Sequence, residues 1–251
     1  MKSVSIFGCG WVGKALLPLL DNNYKVLASV QSQNSFDALE CANKYLLNES
    51  NQFFAPDFYK SDTLIIAIPP RGAYLQTIKI LCTYIKDSTQ IILLSSTSVY
   101  PQTEGIVDEN DTKYVKNPSL MLETEQFLQK NHQKTLILRL GGLMGYKRIA
   151  GKYTAGKTLE ADAFINYVHR DDVVAIIKMF IDKQICEDVV NIVAPTLVSK
   201  KTIYDKNALQ FNFEKTYFSS NVFKGKRVSA AKIQKKYAYN FIYPEAIFFW
   251  S

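Results

Sequence analysis

The stretch Ile6-Phe7-Gly8-Cys9-Gly10-Trp11-Val12-Gly13-Lys14-Ala15 sets a complete G-x-G-x-x-G between a short apolar strand and the start of a helical pattern. Glycines at this spacing would by themselves signal only a glycine-rich turn; the order strand, glycines, helix carries the reading. Gly8 permits the tight turn out of the strand, Gly10 lets backbone approach a pyrophosphate, and Gly13 lets the helix pack closely on the sheet. The expected ligand is a dinucleotide, its diphosphate resting on the N–H groups and positive dipole end of the helix that opens at Trp11 and Val12.

Outward from this stretch, strand-like runs alternate with amphipathic helical patterns, the signature of a parallel sheet covered on both faces. Strands are expected at 4–7, 24–30, 63–68, 91–94 and 136–140, and helices at 12–20, 74–85 and 120–128. A further helix is expected over 172–180, capped by Asp171. This predicts an α/β chain with a Rossmann-type, doubly wound parallel sheet and a small carboxyl-terminal substrate lobe. The expected division is a dinucleotide-binding core at 1–145 and a substrate lobe at 146–251, interleaved with the core in one structural domain. Ligands of such sheets bind beyond the carboxyl ends of the strands. Three segments follow strands there: Ile68-Pro69-Pro70-Arg71-Gly72, Ser95-Ser96-Thr97-Ser98-Val99-Tyr100-Pro101, and Gly141-Gly142-Leu143-Met144-Gly145-Tyr146. Turn chemistry accounts for Pro69-Pro70 and Gly141-Gly142. No internal repeat, low-complexity stretch or long linker interrupts the pattern.

With 251 residues, 47% of them hydrophobic and 21% charged, the chain has ample material for a core. No apolar run approaches the roughly 20 residues that span a bilayer, and no secretory leader is legible, so a cytoplasmic protein without membrane contact is expected. Cys9, Cys41, Cys82 and Cys186 are isolated, which predicts free thiols and no metal site. The net charge of +7 is concentrated late, in Lys224-Gly225-Lys226-Arg227 and from Lys232 to Lys236. Without a recognisable nucleic-acid module it reads as a solvated basic face or as provision for a small anionic substrate, not as a nucleic-acid surface. Oligomeric state is left open.

These segments together resemble the extended and atypical short-chain dehydrogenase/reductases, the NAD-dependent epimerase/dehydratase family. The landmarks are Gly8 to Gly13, Ser95-Ser96-Thr97-Ser98-Val99-Tyr100, Arg139-Leu140-Gly141-Gly142-Leu143-Met144-Gly145 and Val168-His169-Arg170-Asp171-Asp172-Val173, in the family's order. Gly10-Trp11-Val12-Gly13, Ile68-Pro69-Pro70-Arg71 and Gly225-Lys226-Arg227-Val228-Ser229 followed by Tyr243-Pro244 resemble its YeeZ-like branch. The resemblance implies that Gly8, Gly10, Trp11, Val12, Gly13, Gln31, Ser32, Ile68, Pro69 and Ser95 contact the cofactor, and that Ser96 orients the substrate oxygen. The plainer role for Ser96 and its neighbours is satisfying backbone groups after the strand.

The family's chemistry uses a Tyr-x-x-x-Lys pair on the helix after the serine segment, the tyrosine as acid or base and the lysine lowering its pKa. With Glu125 as the family's glutamate, the lysine position falls on Met121 and the tyrosine position on Asn117, and neither residue can do that work. Tyr153-Thr154-Ala155-Gly156-Lys157 has the literal spacing, but Gly151 and Gly156 argue against a helix, so a loop of the substrate lobe is expected. Tyr100 and Tyr114 are alternative acids, Tyr100 being more simply read as packing. His132 is expected to be exposed. No G-x-S-x-G elbow supports a hydrolase.

The second strand ends in Gln31-Ser32-Gln33, with no carboxylate before Asp37. An acidic residue there usually accepts the ribose hydroxyls of NAD. Its absence leaves NAD or NADP open and tilts toward NADP. Two functions follow: an NAD(P)-dependent oxidoreductase or epimerase acting on a small carbonyl or nucleotide-sugar-like substrate, or a non-catalytic NAD(P)-binding sensor or scaffold.

Overall fold

A computed structural model describes residues 1–51, 53–112 and 115–250. The central feature is a seven-stranded sheet. Its strands are β1 (Ser3–Phe7), β2 (Lys25–Val30), β3 (Asn43–Leu46), β4 (Thr63–Ile66), β5 (Gln90–Ser96), β6 (Thr135–Leu140) and β7 (Asp188–Ile192). They lie in the order β7-β6-β5-β4-β1-β2-β3, and β1 runs parallel to both β2 and β4. Between them come α1 (Trp11–Leu20), α2 (Tyr74–Cys82), α3 (Leu120–Asn131) and α4 (Arg170–Asp182), with α5 (Lys200–Gln210) following β7. This is the doubly wound Rossmann architecture. Its strand order reverses between β1 and β4, so the crevice beyond their carboxyl ends belongs to the Gly8 loop and to Ile68-Pro69.

Two compact units share the chain. The first comprises Met1–Ser95, Asn117–Leu138 and Val174–Val189; the second comprises Ser96–Lys116, Arg139–Val173 and Val190–Ser251. In the first, α1 buries Val12, Leu16 and Leu20, one side of a helix at four-residue spacing, while Lys14 and Pro18 face outward. Each such side chain contributes roughly 1.5–3 kcal/mol of transfer free energy. Phe7, Phe58 and Tyr59 are almost wholly buried and meet edge to face, with Phe58 and Tyr59 centroids 5.2 Å apart.

The second unit is stitched by short parallel pairs: Gly142–Met144 with Tyr167–His169, Thr158–Leu159 with Tyr217–Phe218, and Gly105–Val107 with Lys226–Val228. Its apolar cluster includes Ile149, Ile165, Ile203, Tyr204, Phe249 and Trp250. Gly141 and Gly142 serve close approach as well as turning: a Cβ on Gly141 would meet the Asn166 carbonyl, and one on Gly142 would lie 2.6 Å from the Tyr167 ring.

Several expectations shift at their edges. Strand β4 ends at Ile66, two residues early, and α2 ends at Cys82, where the Thr83 hydroxyl turns back to the Ile80 carbonyl at 2.7 Å. Helix α4 opens at Arg170, so Asp171 lies in its first turn and is not the cap. His169 takes that role, its Nδ1 accepting the Asp171 N–H at 3.3 Å. His132 is half-buried, its Nε2 at 2.6 Å from the Thr89 carbonyl oxygen. Strands β3 and β7 were not anticipated. The four cysteines are free, and among the described residues no helix is long and apolar enough to cross a membrane.

Candidate functional site

The three glycines of the first unit have three different physical reasons. Gly8 sits at φ +93, a left-handed conformation, and a Cβ there would lie 2.6 Å from Ile68 Cγ2. Gly13 is pressed by its neighbours, since a Cβ would lie 3.1 Å from both Cys9 Sγ and Ile6 Cγ2. Gly10 differs from both: its φ is −89, and the nearest atom to a built Cβ is the Gly8 carbonyl oxygen at 4.0 Å. Among the described residues, none requires a glycine there for space. The cradle that a side chain would fill opens at the start of α1, a ten-residue helix that no side chain caps. A helix cannot satisfy its own first-turn N–H groups, and its dipole favours an anion at that end. These residues therefore fit the diphosphate of a dinucleotide.

Ser29 was missed by sequence reading, although it stands out as a hydroxyl in the apolar strand Lys25–Val30. It is 1% exposed, and it fixes the glycine turn from β2. The Gly8 N–H reaches its hydroxyl at 3.3 Å, and the Cys9 N–H donates to its carbonyl at 2.6 Å. Beyond β2, Gln31 is exposed and its carbonyl accepts from Asn48 Nδ2 at 3.1 Å. Ser32 caps the short helical turn Gln33–Asp37 by accepting the Ser35 N–H at 3.3 Å. The first carboxylate past the strand, Asp37, is engaged by Gln33 Nε2 at 2.7 Å. After β4, Ile68 is buried against Gly8, while Pro69 is exposed.

Ser95 ends the first unit's share of β5 and is 4% exposed; its hydroxyl donates to Glu125 Oε1, itself fully buried on α3. That hydroxyl is committed to the interior. Met121, at the family's lysine position, is buried with its sulfur 4.0 Å from the Tyr74 hydroxyl. Asn117, at the tyrosine position, is exposed and precedes the helix, which opens at Leu120 after the cap Ser119. The helix starts at Leu120, where the sequence pattern places it, and runs on to Asn131, so Asn117 lies before it and positions 117 and 121 do not stack one turn apart on it.

In the second unit, Ser96 caps the 3-10 turn Thr97–Val99, its hydroxyl accepting the Ser98 N–H at 3.1 Å. Tyr100 is 2% exposed: it donates to Asn191 Oδ1 at 2.6 Å and accepts from Arg139 Nη1 at 3.0 Å. Burial pushes its hydroxyl up to about 12, against the lowering effect of Arg139, so it is a packing residue held by hydrogen bonds and a poor acid. Tyr153 is largely exposed on the 3-10 turn Lys152–Thr154, and Gly156 at φ +72 breaks the path to Lys157. No helix brings that pair together. Tyr114 lies outside the described residues.

The chain is 29% identical to protein YeeZ of Escherichia coli K12, over 98% of each chain. Among solved structures, a candidate NAD-dependent epimerase/dehydratase of Methylobacillus flagellatus aligns with a TM-score of 0.79 at 19% identity, over 99% of this chain and 96% of that one. MoeE5 in complex with UDP-glucose and NAD aligns with a TM-score of 0.73 at 16% identity, over 98% and 96%. No family model matches the chain.

Proposed function

We propose that this chain is an atypical short-chain dehydrogenase/reductase of the epimerase/dehydratase kind, like the proteins it is similar to, that Gly8 to Gly13 hold the diphosphate of NAD or NADP, and that the protein acts on a small carbonyl or nucleotide-sugar-like substrate. The observation that carries this reading is Gly10. Packing accounts for Gly8 and Gly13, whereas a Cβ on Gly10 would meet no described atom nearer than the Gly8 carbonyl oxygen at 4.0 Å, at the start of α1. When bound, the nicotinamide exchanges a hydride with the substrate; the protein's part is to bind, orient and exclude water.

Within this reading Ser96 orients the substrate oxygen through its hydroxyl hydrogen, since the oxygen already accepts the Ser98 N–H. NADP is favoured, because no carboxylate stands between Val30, the end of β2, and Asp37, so the usual acceptor of the NAD ribose hydroxyls is missing. The substrate is anionic. The first unit carries 12 Lys and Arg against 12 Asp and Glu, the second 18 against 11, so the whole net charge of +7 belongs to the second unit. Such a field raises the local concentration of anions.

A second reading, a non-catalytic NAD(P)-binding sensor, draws on Asn117, Met121 and the locked Tyr100, which leave the family's acid–base pair without a substitute at its usual place. The test is a fluorescence titration with NADPH and NADH, then absorbance at the nicotinamide band with a panel of carbonyls and sugar nucleotides. Turnover on any substrate supports the enzyme. Tight binding without turnover on the whole panel supports the sensor, and failure to bind either dinucleotide overturns both.

A further inference from the structure

The second unit contains a cavity of about 620 Å³ whose walls come from four stretches: Gln102 to Glu104, Leu159 to Ala163, Lys200, and Lys224 with Gly225. Its charges are not equally available. Lys224 is paired with Glu160 at 2.9 Å. Asp162 Oδ1 accepts the Ala163 N–H at 2.8 Å and the Lys201 N–H at 3.0 Å, so the start of α5 already holds a carboxylate. Lys201, next in sequence, is paired with Asp205 at 2.5 Å. Lys200 alone of these three lysines has no counter-charge among the described residues, although it is half-buried and lines the cavity. An ammonium that lines a cavity without a counter-ion is a ready partner for a ligand anion through charge-assisted hydrogen bonds.

Around it, the Glu104 carboxylate, the Gln102 carboxamide and the Thr103 hydroxyl offer the mixture of acceptors and donors that vicinal hydroxyl groups require. The apolar part of the wall is Leu159, Ala161 and Ala163, and among the described residues no aromatic ring lines it. A nucleobase therefore finds no stacking platform here. Tyr217, Phe218 and Phe223 line a separate cavity of about 470 Å³ that shares only Asp162 with this one.

We infer that this cavity takes an anionic sugar not linked to a nucleotide, its phosphate or carboxylate on Lys200 and its hydroxyls on Thr103, Glu104 and Asp162. This names the substrate class for the function proposed above and rests on that reading. The test is isothermal titration of the full chain with glucose 6-phosphate, glucuronate, UDP-glucose and UDP, on the wild type, Lys200→Ala and Lys201→Ala.

The expected result is binding of glucose 6-phosphate or glucuronate at least as tight as UDP-glucose, with no binding of UDP alone. Lys200→Ala weakens it about tenfold, Lys201→Ala leaves it unchanged, and neither variant alters NADPH affinity. The two anionic sugars tell phosphate from carboxylate. The inference is overturned by UDP-glucose binding tenfold tighter than both, by Lys200→Ala without effect, or by no anionic sugar binding at millimolar concentration. Sugar binding without NADPH binding would defeat the cofactor reading while leaving this one standing.

Discussion

Replacing each glycine of the loop by alanine separates a ligand requirement from a packing requirement. Gly8→Ala forces a left-handed residue, about 1–2 kcal/mol, and drives a methyl to 2.6 Å from Ile68 Cγ2. Overpacking of that kind costs about 1–3 kcal/mol, so the sum is about 2–5 kcal/mol. At roughly 2–4 °C per kcal/mol for a chain of this size, the melting temperature falls by about 4–20 °C. Gly10→Ala meets nothing nearer than the Gly8 carbonyl at 4.0 Å. Because Gly10 is the N-cap of α1, the variant's stability without ligand falls by about 1 kcal/mol at most, a change of up to ~4 °C. The same methyl occupies the space assigned to the diphosphate, where losing one or two charge-assisted hydrogen bonds weakens NADPH about 100-fold or more. Thermal melts of the ligand-free variants and NADPH fluorescence titrations measure the two quantities. Gly10→Ala melting as low as Gly8→Ala while keeping wild-type NADPH affinity would refute the reasoning.

Tyr100→Phe removes the donor to Asn191 and the acceptor of a buried Arg139 N–H; urea unfolding should show a loss of about 1–3 kcal/mol with NADPH affinity unchanged. Burial lowers the pKa of His169 despite the nearby Asp171 and Asp172, so the unfolded chain takes up the proton first. The neutral ring's contribution is complete above the ordinary value of about 6.5 and is lost as pH falls from there toward the lowered one. His169→Asn, which keeps a capping acceptor, should flatten the stability profile between pH 7 and 5. Asp172, raised by burial, acts in the opposite sense in the acid range above its ordinary value. Burial pushes the Cys9 thiol up to about 12, so a disulfide reagent at pH 8 should leave it unmodified in the native protein and label it only on unfolding, as peptide mass mapping would show.

Much of the first unit was readable from local pattern. A helix that buries Val12, Leu16 and Leu20 repeats its apolar residues every four positions, and central strands such as Leu64 to Ile66 are apolar throughout because both faces are covered. Strand β3 escaped because Asn43–Leu46 is a half-buried edge strand that carries neither alternation nor an apolar run. Its strand character comes from pairing Leu27 with Asn43 through to Val30 with Leu46. The start of α3 was legible, because Ser119 caps the Leu122 N–H at 3.3 Å and so fixes where the helix begins.

The cofactor loop was legible because its chemistry is written in consecutive residues. Which of its glycines serves packing and which is left open depends on Ile68, Ile6 and Cys9, contacts set by the arrangement of strands in space. The commitment of Ser95 to Glu125 and the burial of Tyr100 against Arg139 and Asn191 likewise join residues 30 to 91 positions apart. By itself the sequence determined the strand–glycine–helix unit and the absence of tyrosine and lysine at positions 117 and 121, since local spacing and side-chain identity suffice for both. Only the tertiary structure decided that, among the described residues, Gly10 is the one of the three glycines with no close neighbour and Lys200 the cavity lysine without a counter-charge. Distance and burial, on which steric exclusion and desolvation depend, are properties of neighbours that the linear order does not contain.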